Sequence, residues 1–364
     1  LSHKLYKSLL APVRRGWKNA KSLLVVSHKS LSKIPLSVFV TKPSRLPKES
    51  GALFAKYKNI PWLAKTHTVT ALPSVASLVS LRARPAAAKT RRAFVGFGDP
   101  YFSVQQATAA KQTASVQVAA SMRGALMRGG RVNLRSAPKS RGVGNSELAK
   151  LPRLPDTGEE VVSVAKALRA DQKRDVFLGT RATEEAVKQA NLSDYKVLHF
   201  ATHGLIPLDL NGLTQPALAL SSPNLTAGTR EDGLLTMGEI LTLKLDADWV
   251  VLSACNTAAG EEGGEAFSGL GRAFFYAGTR AILLSNWPVE TTSARALTTD
   301  LFKRQADQKN LSRSQALQAA MVSLINGEGY IDPKTNKVVF SYAHPIFWAP
   351  FSLVGDGGGG RPGA

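Results

Sequence analysis

The chain has 364 residues, 44% hydrophobic and 20% charged, enough to bury a sizeable core in one large or two medium domains. Its single cysteine excludes an intramolecular disulfide, and no apolar run approaches the roughly 18 residues of a membrane span. The net charge of +21 is uneven: residues 1–150 hold 27 Lys and Arg against Glu49, Asp99 and Glu147, whereas residues 151–364 net −3.

A lone thiol suits a reducing compartment, so a cytoplasmic location without membrane attachment is expected. The basic N-terminus does not read as a signal peptide, because Arg14 and Arg15 interrupt the apolar stretch at 9–13. The chain starts at Leu1 and not Met, which reads as a piece of a longer protein. The basic first half has two readings: a face for nucleic acid or another acidic partner, or a solvated surface. No aromatic-interleaved nucleic-acid motif accompanies it.

Taken in chain order, KSLLVVS at 21–27 and the apolar stretch at 94–97 read as short buried strands. The Gly96-Phe97-Gly98 that follows is not a dinucleotide turn, since Tyr101 stands where the third glycine belongs and Pro100 breaks the helix. A helix is predicted over 104–128, then a basic Gly-, Ser- and Pro-rich linker over 129–144. Thr157 and Glu160 read as a capping box for a helix at 159–170. Strand 175–178, helix 183–190, strand 196–201 (KVLHFA), helix 237–241 and strand 249–254 (WVVLSA) follow. Then come helix 266–277, strand 281–284 and helices 293–305 and 312–325. Strands that are apolar on both faces and alternate with helices predict an α/β fold with a mainly parallel sheet.

Two strand ends carry the chemistry. KVLHFA runs into Thr202-His203-Gly204, and WVVLSA runs into Cys255-Asn256-Thr257. In an open parallel sheet the carboxyl ends of neighbouring strands form the ligand crevice, so adjacency of these two would bring His203 and Cys255 together. A thiolate is a nucleophile, and an imidazole beside it lowers its pKa or protonates a leaving amine. The backbone N–H groups of Gly204 and Cys255 would then form an oxyanion hole. The separation of 52 positions from His203 to Cys255 fits the caspase spacing, although Ser253-Ala254-Cys255-Asn256-Thr257 is not the caspase pentapeptide. The competing reading is a lone cysteine buried in the core. His199 and His203 lie about 13 Å apart on an extended strand, too far to share a metal ion, so no metal site is expected and His199 reads as a satisfied internal residue.

The blocks VLHFATHG (197–204), DGLLTMGEI (232–240), VVLSACNTAAG (250–260), the segment 264–288 and HPIFWAPFSLVG (344–355) resemble the CHAT family. These are caspase-like peptidase domains of the caspase–separase clan, often found beside tetratricopeptide repeats. The resemblance spans about 5–355. It implies a caspase-like three-layer sandwich with a mainly parallel central sheet, preceded by a degenerate caspase-like half. On that reading residues 1–145 form the basic pseudo-caspase half, 146–355 the catalytic half, and 356–364 a disordered tail. The resemblance also implies His203 as the catalytic histidine and Cys255 as the nucleophile of an endopeptidase that needs neither metal nor organic cofactor. The partners implied are a protein or peptide substrate and a regulatory tetratricopeptide-repeat partner. Relatives in the clan hold Arg or Lys with a pocket acid, for which Asp209, Asp232 and Glu290 are the candidates here; Trp287 would wall the pocket or belong to the core. The sequence departs from the family at Ser27-His28-Lys29, where Pro and Gly are usual, and the repeats themselves are absent. The alternative is a catalytically silent caspase-like interaction module, with nucleic acid bound by the basic half.

Overall fold

The computed structural model describes residues 1–49, 51–88, 90–120, 148–207, 209–210, 212–225, 231–253, 269–332 and 335–358. In chain order the strands are β1 (Ser22–Val25), β2 (Thr68–Ala71), β3 (Arg92–Gly98), β4 (Val176–Leu178), β5 (Tyr195–Ala201), β6 (Gly204–Leu205) and β7 (Ala217–Ala219). They continue with β8 (Leu234–Thr236), β9 (Trp249–Leu252), β10 (Ala281–Ser285), β11 (Tyr330–Ile331), β12 (Val338–Phe340) and β13 (Phe351–Gly355). The helices are α1 (Ser2–Leu9), α2 (Arg14–Trp17), α3 (Val75–Ala83), α4 (Val104–Ala120), α5 (Pro155–Ala167) and α6 (Gln172–Asp175). After them come α7 (Glu184–Gln189), α8 (Met237–Thr242), α9 (Gly269–Ala277), α10 (Thr291–Asp307), α11 (Arg313–Asn326) and α12 (Pro345–Trp348).

Eight strands form one sheet in the order β1-β2-β13-β10-β9-β5-β3-β4. Every pairing is parallel except β10 with β13. The two-residue period of a strand divides its side chains between two cores. Trp249 and Val251 of β9 face the layer of α5, α10, α11 and α12, where Phe302, Phe347 and Trp348 are buried. Val250 and Leu252 face the layer of α7, α8 and α9, where Phe200 and Phe274 are buried. Helices therefore cover both faces, and each large apolar side chain so enclosed contributes roughly 1.5–3 kcal/mol. This is the mainly parallel α/β sandwich anticipated from the alternation of elements.

Strands from both sides of the charge step share this sheet. The segment 1–145, expected as a degenerate half, contributes β1, β2 and β3; β3 sits between β5 and β4, and β2 lies beside β13. The boundary at 145, the linker at 129–144 and the end of the helix predicted to reach residue 128 all lie outside the described residues.

Two local expectations are corrected. Thr157 is not an N-cap: Pro155 occupies the first turn, where its missing N–H costs nothing, so the helix starts earlier. Thr157 is buried inside α5, its Oγ1 donating to the Leu154 carbonyl and accepting from the Asp99 N–H. The tail expected to be disordered begins as ordered chain. The Asp356 N–H donates to the Arg280 carbonyl, and the Gly357 carbonyl accepts from Ser314; residues 359–364 lie outside the described residues.

Candidate active site

β5 and β9 are parallel neighbours, with Val197 opposite Trp249 and Phe200 opposite Leu252. The pairing runs one step further, the Ser253 N–H donating 3.0 Å to the Phe200 carbonyl. The adjacency that the crevice requires is therefore present, with both strands ending level. Cys255 and its flanks, residues 254–268, lie outside the described residues, as does its backbone N–H.

His203 follows the end of β5 and is fully buried. Its Nε2 lies 2.8 Å from the Pro152 carbonyl oxygen. A carbonyl only accepts, so Nε2 carries the hydrogen and donates it; Nδ1 is then the nitrogen able to take or give a proton. The Phe102 ring packs on the imidazole at a centroid distance of 5.5 Å and a tilt of 46°. The backbone is pinned as well: the His203 carbonyl accepts from the Ala219 N–H at 3.0 Å. Thr202 Oγ1 donates 2.5 Å to the Ala219 carbonyl.

That bond to His203 fixes the role of its neighbour. β6 and β7 are antiparallel with Gly204 opposite Leu218, and the bond from Ala219 to His203 makes Gly204–Leu218 a pair without mutual hydrogen bonds. The Gly204 N–H is thus turned away from β7. Over this edge lies a small cluster of Phe102, Leu151, Leu205, Leu210 and Leu213, which encloses the loops around His203.

The three candidate pocket acids all accept backbone N–H groups. Glu290, 3% exposed, is the N-cap of α10, accepting from Thr292 and Ser293. Asp232 is exposed and accepts from Leu234 at 2.8 Å, which closes a turn. Asp209 accepts from Ile206 at 2.9 Å in the loop between β6 and β7, and burial pushes its carboxyl above the ordinary value. Trp287 is half-buried and packs against the core of α10 to α12.

His199 is internal, as expected, but not satisfied: among the described residues neither ring nitrogen makes a hydrogen bond, and the ring belongs to a polar cluster that the sequence reading did not foresee. Its Nε2 lies 3.2 Å from Glu160 Oε1, an ion-pair distance whose angle falls short of a hydrogen bond, and both side chains are fully buried. Ser253 Oγ donates 3.1 Å to Glu160 Oε2, and Thr298 Oγ1 lies 3.4 Å from Oε1. The cluster ties α5 and α10 to the last described residue of the strand that leads to Cys255. Elsewhere, Glu184, Glu231 and Glu239 converge closely enough to hold a cation, and the Lys188 ammonium sits among them.

Pro152 and Phe102, which touch the His203 ring, were not singled out in the sequence. Pro152 meets the ring through its carbonyl, which every residue possesses, so residue type gave no signal. Phe102 reads as ordinary core until its ring is seen against His203.

A family model described as CHAT domain matches residues 1–356. Among curated proteins, tetratricopeptide repeat protein 28 of Mus musculus is 26% identical over 230 residues, covering 56% of this chain and 9% of that protein. Its Homo sapiens counterpart is 26% identical over 229 residues, covering 56% of this chain and 8% of that protein. The chain thus spans less than a tenth of the length of these relatives. Among solved structures, the Arg-specific cysteine proteinase gingipain R aligns over 95% of this chain and 66% of its own, at 9% identity and a TM-score of 0.46.

Proposed function

Because the chain belongs to the CHAT domain family, we propose that it is a cysteine endopeptidase in which Cys255 attacks the substrate carbonyl and His203 moves the proton. The observation that carries this reading is the level, parallel pairing of β5 and β9, with the His203 ring fixed at the end of one and Cys255 three residues beyond the other. With Nε2–H held by Pro152, Nδ1 takes the thiol proton as the thiolate forms the C–S bond. The oxyanion lies against the N–H groups of Gly204 and Cys255. As the C–N bond breaks, Nδ1–H protonates the leaving amine; water then hydrolyses the thioester and restores the thiol. A cytoplasmic location, as a reducing compartment, keeps Cys255 in that reactive form. Among the described residues, no helix is long and apolar enough to cross a membrane.

The substrate is a protein or peptide. All three candidate acids accept backbone N–H groups; Asp209 is the one we assign to a cationic side chain, because it lies in the loop that leaves His203. A tetratricopeptide-repeat region is the proposed regulator, because the curated relatives are named for such repeats. The same names favour, as second reading, a silent interaction module that has kept the fold. Cleavage of a peptide library by the parent chain and by Cys255→Ala separates the two. Loss of cleavage in Cys255→Ala and a drop of about 10²- to 10⁴-fold in His203→Ala are expected. Equal cleavage by parent and Cys255→Ala would end the peptidase reading.

A further inference from the structure

We propose that Asp99 and Arg153 are positioning residues for His203, acting through the Pro152 carbonyl that lies between them and the imidazole. The inference rests on His203 being the partner of Cys255. Asp99 follows β3, the neighbour of β5, and is 7% exposed. Its φ of 47° is left-handed, a conformation that a residue other than glycine adopts at a cost and that Asp and Asn tolerate best. Its N–H donates 2.8 Å to Thr157 Oγ1, which anchors it to α5. Both carboxylate oxygens accept from one guanidinium: Arg153 Nε at 2.8 Å and Nη2 at 2.6 Å. Such a two-pronged contact fixes direction as well as distance. The guanidinium also lies over the Tyr101 ring, 4.7 Å from its centroid.

Arg153 is the next residue after Pro152, so holding its side chain restricts the peptide plane that carries the Pro152 carbonyl. Proline's ring already fixes φ on the other side of that plane. The preceding residue is held too: Gln106 Nε2 donates 2.7 Å to the Leu151 carbonyl, while its Oε1 accepts from the Phe102 N–H at 2.9 Å. The loop after β3 therefore grips residues 151–153 at both ends and lays Phe102 on the imidazole. The Pro152 carbonyl, itself in an exposed loop, is aimed by this grip. Aiming it selects the Nε2–H tautomer and stops the ring from turning, which is what a partner of the thiol requires. A bidentate ion pair in a bend that needs a left-handed residue is a costly way merely to close a loop. Its adjacency to Pro152 gives that cost a purpose.

Cys255 is the single cysteine, so alkylation of the full chain by iodoacetamide reports one thiol without any knowledge of the substrate. The rate is measured against pH for the parent, His203→Ala, Asp99→Asn, Arg153→Gln and the Asp99→Asn/Arg153→Gln double variant. Asn is chosen because it keeps the backbone conformation of Asp99 and removes only the charge. Each single change is expected to lower the rate at pH 7 about tenfold by raising the thiol midpoint about one unit, with the double variant no worse than either. A parent-like profile in Asp99→Asn and Arg153→Gln, beside a shifted profile in His203→Ala, overturns the positioning proposal and leaves the dyad standing. A parent-like profile in His203→Ala overturns both. Uniform slowing at all pH values without a midpoint shift marks a purely structural role and also overturns the proposal. Melting curves identify the folded variants; should one fail to fold, the other, altering the opposite end of the same pair, decides.

Discussion

His199→Leu is expected to unfold this protein more readily than its conservative size suggests. Glu160 reaches from α5 into the sheet and is fully buried, with His199 Nε2 at 3.2 Å, Ser253 Oγ at 3.1 Å and Thr298 Oγ1 at 3.4 Å. Removing the ring takes a polar neighbour from a carboxyl group that is fully buried. Breaking a buried pair from one side costs about 3–5 kcal/mol, and a hydrogen bond to a charged group contributes about 1.5–3 kcal/mol. The imperfect angle at Nε2 places His199→Leu near the lower end, about 3 kcal/mol. Glu160→Met combined with His199→Leu removes the buried carboxyl group together with this neighbour, and should recover most of that loss because neither polar group then stays buried. Thr298 retains a second acceptor in the Ala294 carbonyl at 3.0 Å. Urea titrations at pH 7, followed by tryptophan fluorescence, give the three differences as midpoint shifts at constant slope. A loss below about 1 kcal/mol for His199→Leu, or a double variant less stable than both singles, would refute the reasoning that the buried pair of Glu160 and His199 governs this site.

Gly278 follows α9 at a φ of +128°, and a Cβ there would lie 2.1 Å from the Leu245 carbonyl oxygen. Gly278→Ala is therefore expected to cost about 2 kcal/mol or more, since the strained φ alone costs of order 1–3. Gly271→Ala, inside α9 with its nearest neighbour at 3.8 Å, should gain about 0.5–1 kcal/mol; thermal melts compare the two. Lys188 Nζ lies 2.7 Å from both Glu184 and Glu239 and 2.5 Å from Glu231, so three carboxylates share one cation. Burial pushes the Glu184 carboxyl up to about 8. At Glu239 the upward push of burial is outweighed by bonds from Lys188 and Thr236, and its carboxyl sits at about 2. The folded state thus holds the Glu184 proton more tightly than the unfolded chain, and stability should rise as pH falls from about 8 to 4.5. Glu239 acts in the opposite sense: its contribution is present above 4.5 and is lost as pH falls towards 2. Glu184→Gln is expected to abolish the rise and keep the acid loss; melting temperatures at a series of pH values check this, and an unchanged rise would exclude Glu184 as its source.

The candidate site's sheet edge was legible because buried parallel strands announce themselves as apolar runs. KVLHFA and WVVLSA fall on β5 and β9 to within a residue over the described part; their adjacency was a condition in the sequence and is shown by the pairing of the two strands. Helix ends were legible where a side chain caps. Thr183 and Ser312 are the N-caps of α7 and α11, each accepting from the third residue of its helix. Other features escaped for physical reasons. The four residues TVTA of β2 are too few to separate from loop, and their alternation points the wrong way, since the threonines and not Val69 and Ala71 are buried; β1 and β13 flank it as a strand. Glu160 looked like a capping partner, and only the tertiary structure shows it facing His199. The grip of Asp99 on Arg153 joins residues 54 apart whose types suggest nothing beyond surface charge.

β13 closes the gap between β10 and β2, with Val354 opposite Ala71, 283 residues away along the chain. A ribosome therefore delivers β1 and β2 long before the strand they dock on exists. Closing so long a loop adds little free energy beyond that of a shorter one, but it delays assembly. A nonsense codon shortly before residue 351 would remove one strand and orphan two more, leaving apolar edges open to aggregation.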